Sequence, residues 1–160
     1  MEEFIANFRT AVIGTIDKGN LPFSSYAPFI YDDNRFYIYI SDIATHAKNI
    51  QLNPNASLFF IEDESMSSNL FARKRISLQC SSQKIQRQSE RFDEVLDLFT
   101  RKFESSMVEM LKKMMDFNLY ELHVTSGEAT FGFGEAYLIG GDAMNELVPR
   151  QTAGGHKQQK

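Results

Sequence analysis

The chain lacks the features that mark secreted and membrane proteins. Its single cysteine, Cys80, cannot form a disulfide within the chain, and its place in an alternating stretch favours a small buried hydrophobic residue. No apolar run approaches the length of about 18 residues that a membrane span needs, and no charged-then-apolar segment opens the chain as an export signal does. We therefore expect a cytoplasmic protein without a membrane partner.

The charge and the missing motifs exclude further classes. A net charge of −4, with basic residues scattered outside Arg73–Arg75, argues against nucleic-acid binding and favours a small-molecule partner. The sequence has no Walker loop, no GxGxxG turn, no CxxC pair and no Ser-His-Asp order. NTPase, nicotinamide-fold and hydrolase functions therefore have no support in the sequence.

The hydrophobic pattern predicts one mainly β domain with peripheral helices. Two-residue alternation broken by turn residues such as those at 17–20 predicts antiparallel hairpins. Helical spacing after Ser89 predicts two amphipathic helices that separate one strand pair of a β-barrel. The predicted strands cover 10–16, 21–31, 35–40, 56–62, 75–86, 118–125, 128–133 and 135–139, and the shorter helices cover 1–8 and 44–52.

Two further expectations concern the helical insert and the end of the chain. Met107, Met110, Met114 and Met115 lie at helical spacing, which favours a packed helix face over a soft-metal site. We expect a barrel domain over 1–141 and a flexible tail over 142–160.

A single histidine in that tail is the first candidate functional residue. His156 follows a Gly154-Gly155 pair in a polar segment that no hydrophobic pattern could bury. Neutral imidazole is a common ligand for transition metals and haem iron, and a glycine-rich tether lets it reach a site built by other segments. The alternative is a solvated histidine in a disordered terminus.

Three segments carry a resemblance to a known family. They are the run 35–55, the strand entry Phe71-Ala72-Arg73-Lys74-Arg75-Ile76-Ser77-Leu78, and Phe131-Gly132-Phe133-Gly134-Glu135-Ala136-Tyr137. Together with the Gly-His-Lys tail they resemble the split-barrel FMN-binding superfamily, pyridoxamine 5'-phosphate oxidase-like, and within it the haem-utilisation branch of the HugZ and HutZ type. The resemblance covers nearly the whole chain and implies a homodimeric split β-barrel that binds haem near the subunit interface.

The resemblance also implies roles for individual residues. His156 matches an axial haem ligand, and Asp116 matches an acidic residue that hydrogen-bonds this ligand from the other subunit. Such a carboxylate would fix the tautomer and raise electron donation to iron, although Asp116 could instead cap local backbone groups. Arg73 and Arg75 can bind haem propionates or a flavin phosphate, or lie along the surface. We prefer Arg75, as nearest the barrel interior signalled by Ile76, and take Asp116 and Arg75 as the predicted catalytic residues.

Three functions remain open. The first is a haem-degrading oxygenase that uses O2 and an external electron donor or reductase, with haem as substrate and oxygen-activating cofactor, and releases iron. The second is a haem carrier or storage protein without catalysis. The third is an FMN-dependent oxidoreductase whose phosphate site, near a helix N-terminus, would use Ser41, Thr45, His46 and Lys48, although flavin oxidases typically show a more basic cluster there.

Overall fold

The computed structural model describes residues 1–150. This part of the chain contains eight strands and four α-helices, and two 3-10 turns, Glu64–Met66 and Leu70–Ala72, lie in the polar stretch between residues 61 and 75. The helices are α1 (Glu2–Ile5), α2 (Thr45–Leu52), α3 (Glu90–Lys102) and α4 (Ser105–Lys112), and the strands are β1 (Thr10–Ile16), β2 (Pro22–Asp32), β3 (Arg35–Ser41), β4 (Asn55–Ile61), β5 (Arg75–Lys84), β6 (Phe117–Thr130), β7 (Ala136–Gly140) and β8 (Glu146–Pro149).

The first six strands close into an antiparallel barrel. Their hydrogen-bonded order is β3-β2-β1-β4-β5-β6, and β6 pairs back onto β3 to complete the ring. β7 and β8 extend the sheet beyond β6 as an antiparallel flap. The predicted mainly β barrel with peripheral helices is confirmed, including the helical insert between β5 and β6.

One long strand replaces two of the predicted ones. The sequence predicts separate strands over 118–125 and 128–133, whereas β6 runs without a break from Phe117 to Thr130. The alternation of apolar residues is interrupted because β6 contains a β-bulge. Thr125 is the extra residue, between the pairs Gln79–Ser126 and Cys80–Val124. β5 pairs with β6 on both sides of the bulge, while the other edge of β6 pairs with β3 over residues 117–122 and with β7 over residues 128–130.

Two hydrophobic clusters stabilise this arrangement. The barrel interior contains Cys80 and aromatic residues such as Phe29, Phe36 and Phe60, which contact one another edge to face or tilted. The second cluster lies outside the barrel, where α3 packs Val95 and its buried neighbours against β3. The predicted burial of Cys80 is confirmed, and burial raises the pKa of its thiol to about 12.

The expected packing of the methionine stripe is wrong for this single chain. Only Val108 of α4 is buried, whereas Met107, Met110, Met114 and Met115 are between 38% and 77% exposed. The helical spacing is real, but α4 lies against α3 and turns its methionines outward.

The sheet continues beyond residue 141, where the barrel domain was expected to end. Residues 146–149 form β8, which pairs with β7 from Tyr137 to Gly140, so they belong to the sheet rather than to a tail. Residues 151–160, and with them His156, lie outside the described part of the chain. Among residues 1–150 no helix is both long enough and apolar enough to cross a bilayer.

Candidate functional site

A cleft lies where β5 begins and β6 ends, beside the flap. It measures about 320 Å³ and is lined by the 3-10 turn before β5, by the Phe-Gly-Phe-Gly turn after β6 and by the end of β8. The residues that give the cleft its chemistry are Phe71, Arg75, Phe133, Tyr137 and Arg150.

The aromatic side chains of this cleft are unusually open to solvent. Phe71 is 91% exposed and Phe133 is 72% exposed, although both line the cleft. The turn that carries Phe133 is closed by a hydrogen bond from the Phe131 amide to the Glu135 carbonyl, with Gly134 at a φ of +78°. Exposed aromatic residues beside a cleft are typical of a surface that a ligand or partner covers.

Two arginines and one glutamate, Glu128, set the charge of the cleft. Arg75 reaches it from β5, with its guanidinium donating to the Arg73 carbonyl at 3.1 Å. Arg150 reaches it from the end of β8, where its backbone amide donates to Ala136 and its guanidinium lies 3.5 Å from the Glu128 carboxylate. Guanidinium groups bind carboxylates and phosphates by paired hydrogen bonds, so this edge can hold an anionic group.

The reason for preferring Arg75 needs correction. Ile76 and Leu78 point into the barrel, and Arg75 therefore lies on the opposite, outer face of β5. Arg73 is engaged elsewhere, because its guanidinium donates to the Glu62 carbonyl and contacts the Glu64 carboxylate at 3.0 Å. The structure thus brings Arg75, and not Arg73, into the cleft.

A second cluster of predicted residues lies at the other end of β6. The Ser41 hydroxyl donates to the Asp116 carboxylate at 2.5 Å, and the Asp42 amide donates to the Asp116 carbonyl at 2.8 Å. Ser41 ends β3 and Asp116 precedes β6, so the pairing that closes the barrel brings them together. Asp116 is only partly buried, which leaves its carboxylate accessible to a further donor.

The N-terminus of α2 holds the other predicted phosphate ligands. Thr45 and Lys48 are exposed, while His46 is half-buried with Nδ1 3.0 Å from the Ser25 hydroxyl. Burial lowers the pKa of His46, which favours the neutral ring and weakens it as a phosphate ligand. Since Ser41 is bonded to Asp116, the structure does not gather the four residues into one anion site.

Sequence reasoning missed Phe71, Phe133 and Arg150. The repeated Phe-Gly pair carried a usable signal, since glycines on both sides of Phe133 leave little for that ring to pack against. Within residues 1–150 no group of three or more His, Cys, Asp or Glu side chains could hold a metal. His123, on β6, lies beside Arg35 and Glu121.

A family model described as pyridoxamine 5'-phosphate oxidase matches residues 1–131. The chain belongs to this family. The predicted split barrel of the FMN-binding type is thereby confirmed, and the closed six-stranded ring is its structural counterpart.

Individual relatives narrow the comparison within the family. The chain is 33% identical to a Vibrio cholerae protein named heme oxygenase HutZ over 158 residues, which is 99% of this chain and 88% of the relative. A crystal structure described as HutZ, the heme storage protein from Vibrio cholerae, is 32% identical with a TM-score of 0.76, covering 82% of this chain and 94% of that one.

A third relative matches across the whole fold. The structure of Campylobacter jejuni ChuZ is 30% identical with a TM-score of 0.86 over 99% of this chain, which spans 64% of that longer protein. The predicted resemblance to the HugZ and HutZ type is therefore confirmed.

Proposed function

We propose that this protein binds haem in the cleft of Phe71, Phe133, Arg75 and Arg150 and degrades it oxidatively to release iron. The observation that carries the proposal is this pairing of exposed aromatic rings with two guanidinium groups in a chain 33% identical to a heme oxygenase. Haem is a flat apolar ring with two carboxylates at one edge, and the cleft offers a complement to both parts.

The position of the cleft suits His156 as the iron ligand. Arg150 is anchored beside the cleft by its bond to Ala136. His156 follows six residues later, and six residues of extended chain span at most about 20 Å. A haem held by Arg75 and Arg150 lies within that maximum span.

Asp116 meets this ligand in our proposal only across a dimer. It lies just before β6, whereas Arg150 is held beside the far end of that 14-residue strand. At about 3.3 Å per residue a straight strand of this length would span about 40 Å, roughly twice the reach of six extended residues. We therefore propose, as the resemblance implies, that Asp116 of one protomer accepts the second N–H of His156 from the other.

Exposed apolar pairs on the outer sheet face support a homodimer. Leu138 and Val148 are register partners on β7 and β8 and are 46% and 44% exposed, and Val12 and Tyr26 form a similar pair on β1 and β2. Contiguous apolar patches on a protein surface mark interaction sites, and each pair contributes apolar area that a partner can cover. A second copy of the chain is the partner that we propose for this face.

Each residue then has a defined task. Arg75 and Arg150 hold the propionates, while Phe71 and Phe133 pack on the ring and exclude water. Asp116 holds the His156 ring in one tautomer and increases its electron donation. Bound haem supplies the capacity to activate oxygen, and an external donor supplies the electrons.

Haem storage is the second candidate, because one structural relative is described as a heme storage protein. Storage would use the same cleft and ligand but would need no donor of electrons. An FMN-dependent oxidoreductase is less well supported, since His46 and Ser41 are bonded to Ser25 and Asp116.

Exposure of the hemin-loaded protein to ascorbate and oxygen, with catalase present, separates these functions. Degradation predicts loss of the Soret band together with iron that a ferrous chelator traps, and Asp116→Asn should slow both by about 10- to 100-fold. A Soret band that persists without iron release would contradict degradation and leave storage. Stoichiometric FMN binding, with no Soret band on hemin addition, would contradict both haem functions.

A further inference from the structure

The segment that carries Asp116 is fixed on one side by an arginine that has no assigned role. Arg87 lies in the connection between β5 and α3, and its guanidinium donates to three backbone carbonyls. The acceptors are those of Lys112 at 3.2 Å, Met114 at 3.0 Å and Phe117 at 2.6 Å. These three carbonyls bracket Asp116 along the chain.

The bonds of Arg87 exceed what a helix cap requires. α4 ends at Lys112, so only the first acceptor is a terminal carbonyl of that helix. The other two are Met114, in the turn after α4, and Phe117, the first residue of β6, and between them Asp116 accepts a hydrogen bond from Ser41. Arg87 and the Ser41–Asp42 corner therefore both hold this segment, the first through the three backbone carbonyls and the second through the Asp116 carboxylate and carbonyl.

The guanidinium is itself held in place and contributes charge near the site. It packs over the ring of Phe92 at 5.4 Å, and α3 fixes that ring in the second hydrophobic cluster. The Tyr39 phenol lies within electrostatic range of both the Arg87 cation and the Asp116 carboxylate. The Phe92 ring thus helps to hold the guanidinium against the segment that carries Asp116.

We propose that Arg87 is a positioning residue that holds the Asp116 carboxylate in the orientation required by the haem ligand, an inference that rests on the function proposed above. A carboxylate tunes an imidazole only when it is held at hydrogen-bond distance and in the ring plane. Loss of Arg87 frees the turn and weakens that hydrogen bond without removing any group that touches haem.

The matched control is Arg91, the second residue of α3 and four residues after Arg87. Its guanidinium also packs on an aromatic ring, that of Tyr37 at 4.9 Å, and bonds to Asp32 at 2.9 Å, but it has no contact with residues 112–117. Arg87→Gln and Arg91→Gln should both lower the thermal midpoint. Only a positioning role predicts a further change specific to Arg87.

Two measurements test that change. In the haem-free protein, hydrogen exchange of the peptide covering residues 113–118 should accelerate in Arg87→Gln and not in Arg91→Gln. In the ferrous haem complex, the iron–histidine stretching frequency of Arg87→Gln should shift toward that of Asp116→Asn, with turnover lowered about tenfold. Arg87→Lys keeps the charge but not the paired N–H donors of the guanidinium. Its stretching frequency and turnover should therefore lie between those of the wild type and those of Arg87→Gln.

The variants distinguish a failure of the Arg87 role from a failure of the proposed pairing between Asp116 and His156. If Asp116→Asn shifts the frequency and Arg87→Gln does not, the role of Arg87 is overturned while the proposed function stands. If Asp116→Asn itself leaves both frequency and turnover unchanged, the proposed pairing with His156 fails first. Arg87→Gln and Asp116→Asn combined should slow turnover no more than Asp116→Asn alone, and a multiplicative loss would overturn the proposal.

Discussion

At the scale of single residues, His46 illustrates how burial changes a role that residue type suggests. A histidine beside Thr45 and Lys48 at the start of a helix has the composition of a phosphate site. In the structure its ring is half-buried, Nδ1 contacts the Ser25 hydroxyl, and burial lowers its pKa. Sequence could place His46 on α2 but could not indicate this contact, because Ser25 belongs to a strand 21 residues earlier.

The lowered pKa of His46 predicts a pH dependence of stability. The unfolded chain keeps the ordinary histidine pKa of about 6.5, so it binds more protons than the folded state as the pH falls below that value. The folded state therefore keeps its full stability, as far as His46 is concerned, above about pH 6.5. It loses stability as the pH falls from that value toward the lowered pKa of His46 in the folded state. The free energy of unfolding by urea should therefore decrease more steeply with acidification in the wild type than in His46→Gln. Parallel curves for the two proteins would show that burial of this ring does not penalise its protonation.

At the scale of secondary-structure elements, β6 shows what periodicity can and cannot predict. The alternation of apolar residues located seven of the eight strands to within a few residues, because each such run has one face in a core. The bulge at Thr125 shifts the alternation, and the sequence pattern therefore suggested two strands where one exists. β8 was missed because its four residues are largely exposed and carry little alternation.

Gly127 makes the junction of β5, β6 and β7 possible. A Cβ there would lie 2.8 Å from the Leu78 side chain, 2.8 Å from the Ser77 carbonyl and 2.9 Å from Ile139. Gly127→Ala should destabilise the protein by about 1–3 kcal/mol in urea denaturation, since backbone and two side chains must move. Gly19→Ala, in an exposed turn, should stay within about 0.5 kcal/mol of the wild type. Equal stability of the two variants would mean that the sheet opens freely at this junction.

At the scale of the whole molecule, the candidate site is divided between the two ends of the barrel. The cleft with Arg75 and Arg150 and the pair Ser41–Asp116 lie at opposite ends of β6. No local pattern predicts that separation, because it depends on how far one strand runs before the chain leaves the sheet. The exposure of the methionines in and after α4 could not be predicted either. Helical spacing predicts that they share one face of a helix, but it does not indicate which element packs against that face.

The division of the site predicts complementation between inactive variants. His156→Ala and Asp116→Asn homodimers should both degrade haem slowly. After the two are unfolded together and refolded, half of the dimers are mixed, and each mixed dimer holds one intact site, so activity should recover to about a quarter of the wild-type value. Recovery no greater than the average of the two parents would place both residues in the same subunit's site.

Titration of hemin into the wild type and His156→Ala, followed at the Soret band, shows whether His156 is the ligand of the haem iron. We expect the wild type to bind hemin with a dissociation constant of about 1 μM or below. We expect His156→Ala to lose the absorption spectrum of histidine-ligated haem and to bind hemin at least about tenfold more weakly. An unchanged spectrum and affinity in His156→Ala would contradict this role of His156.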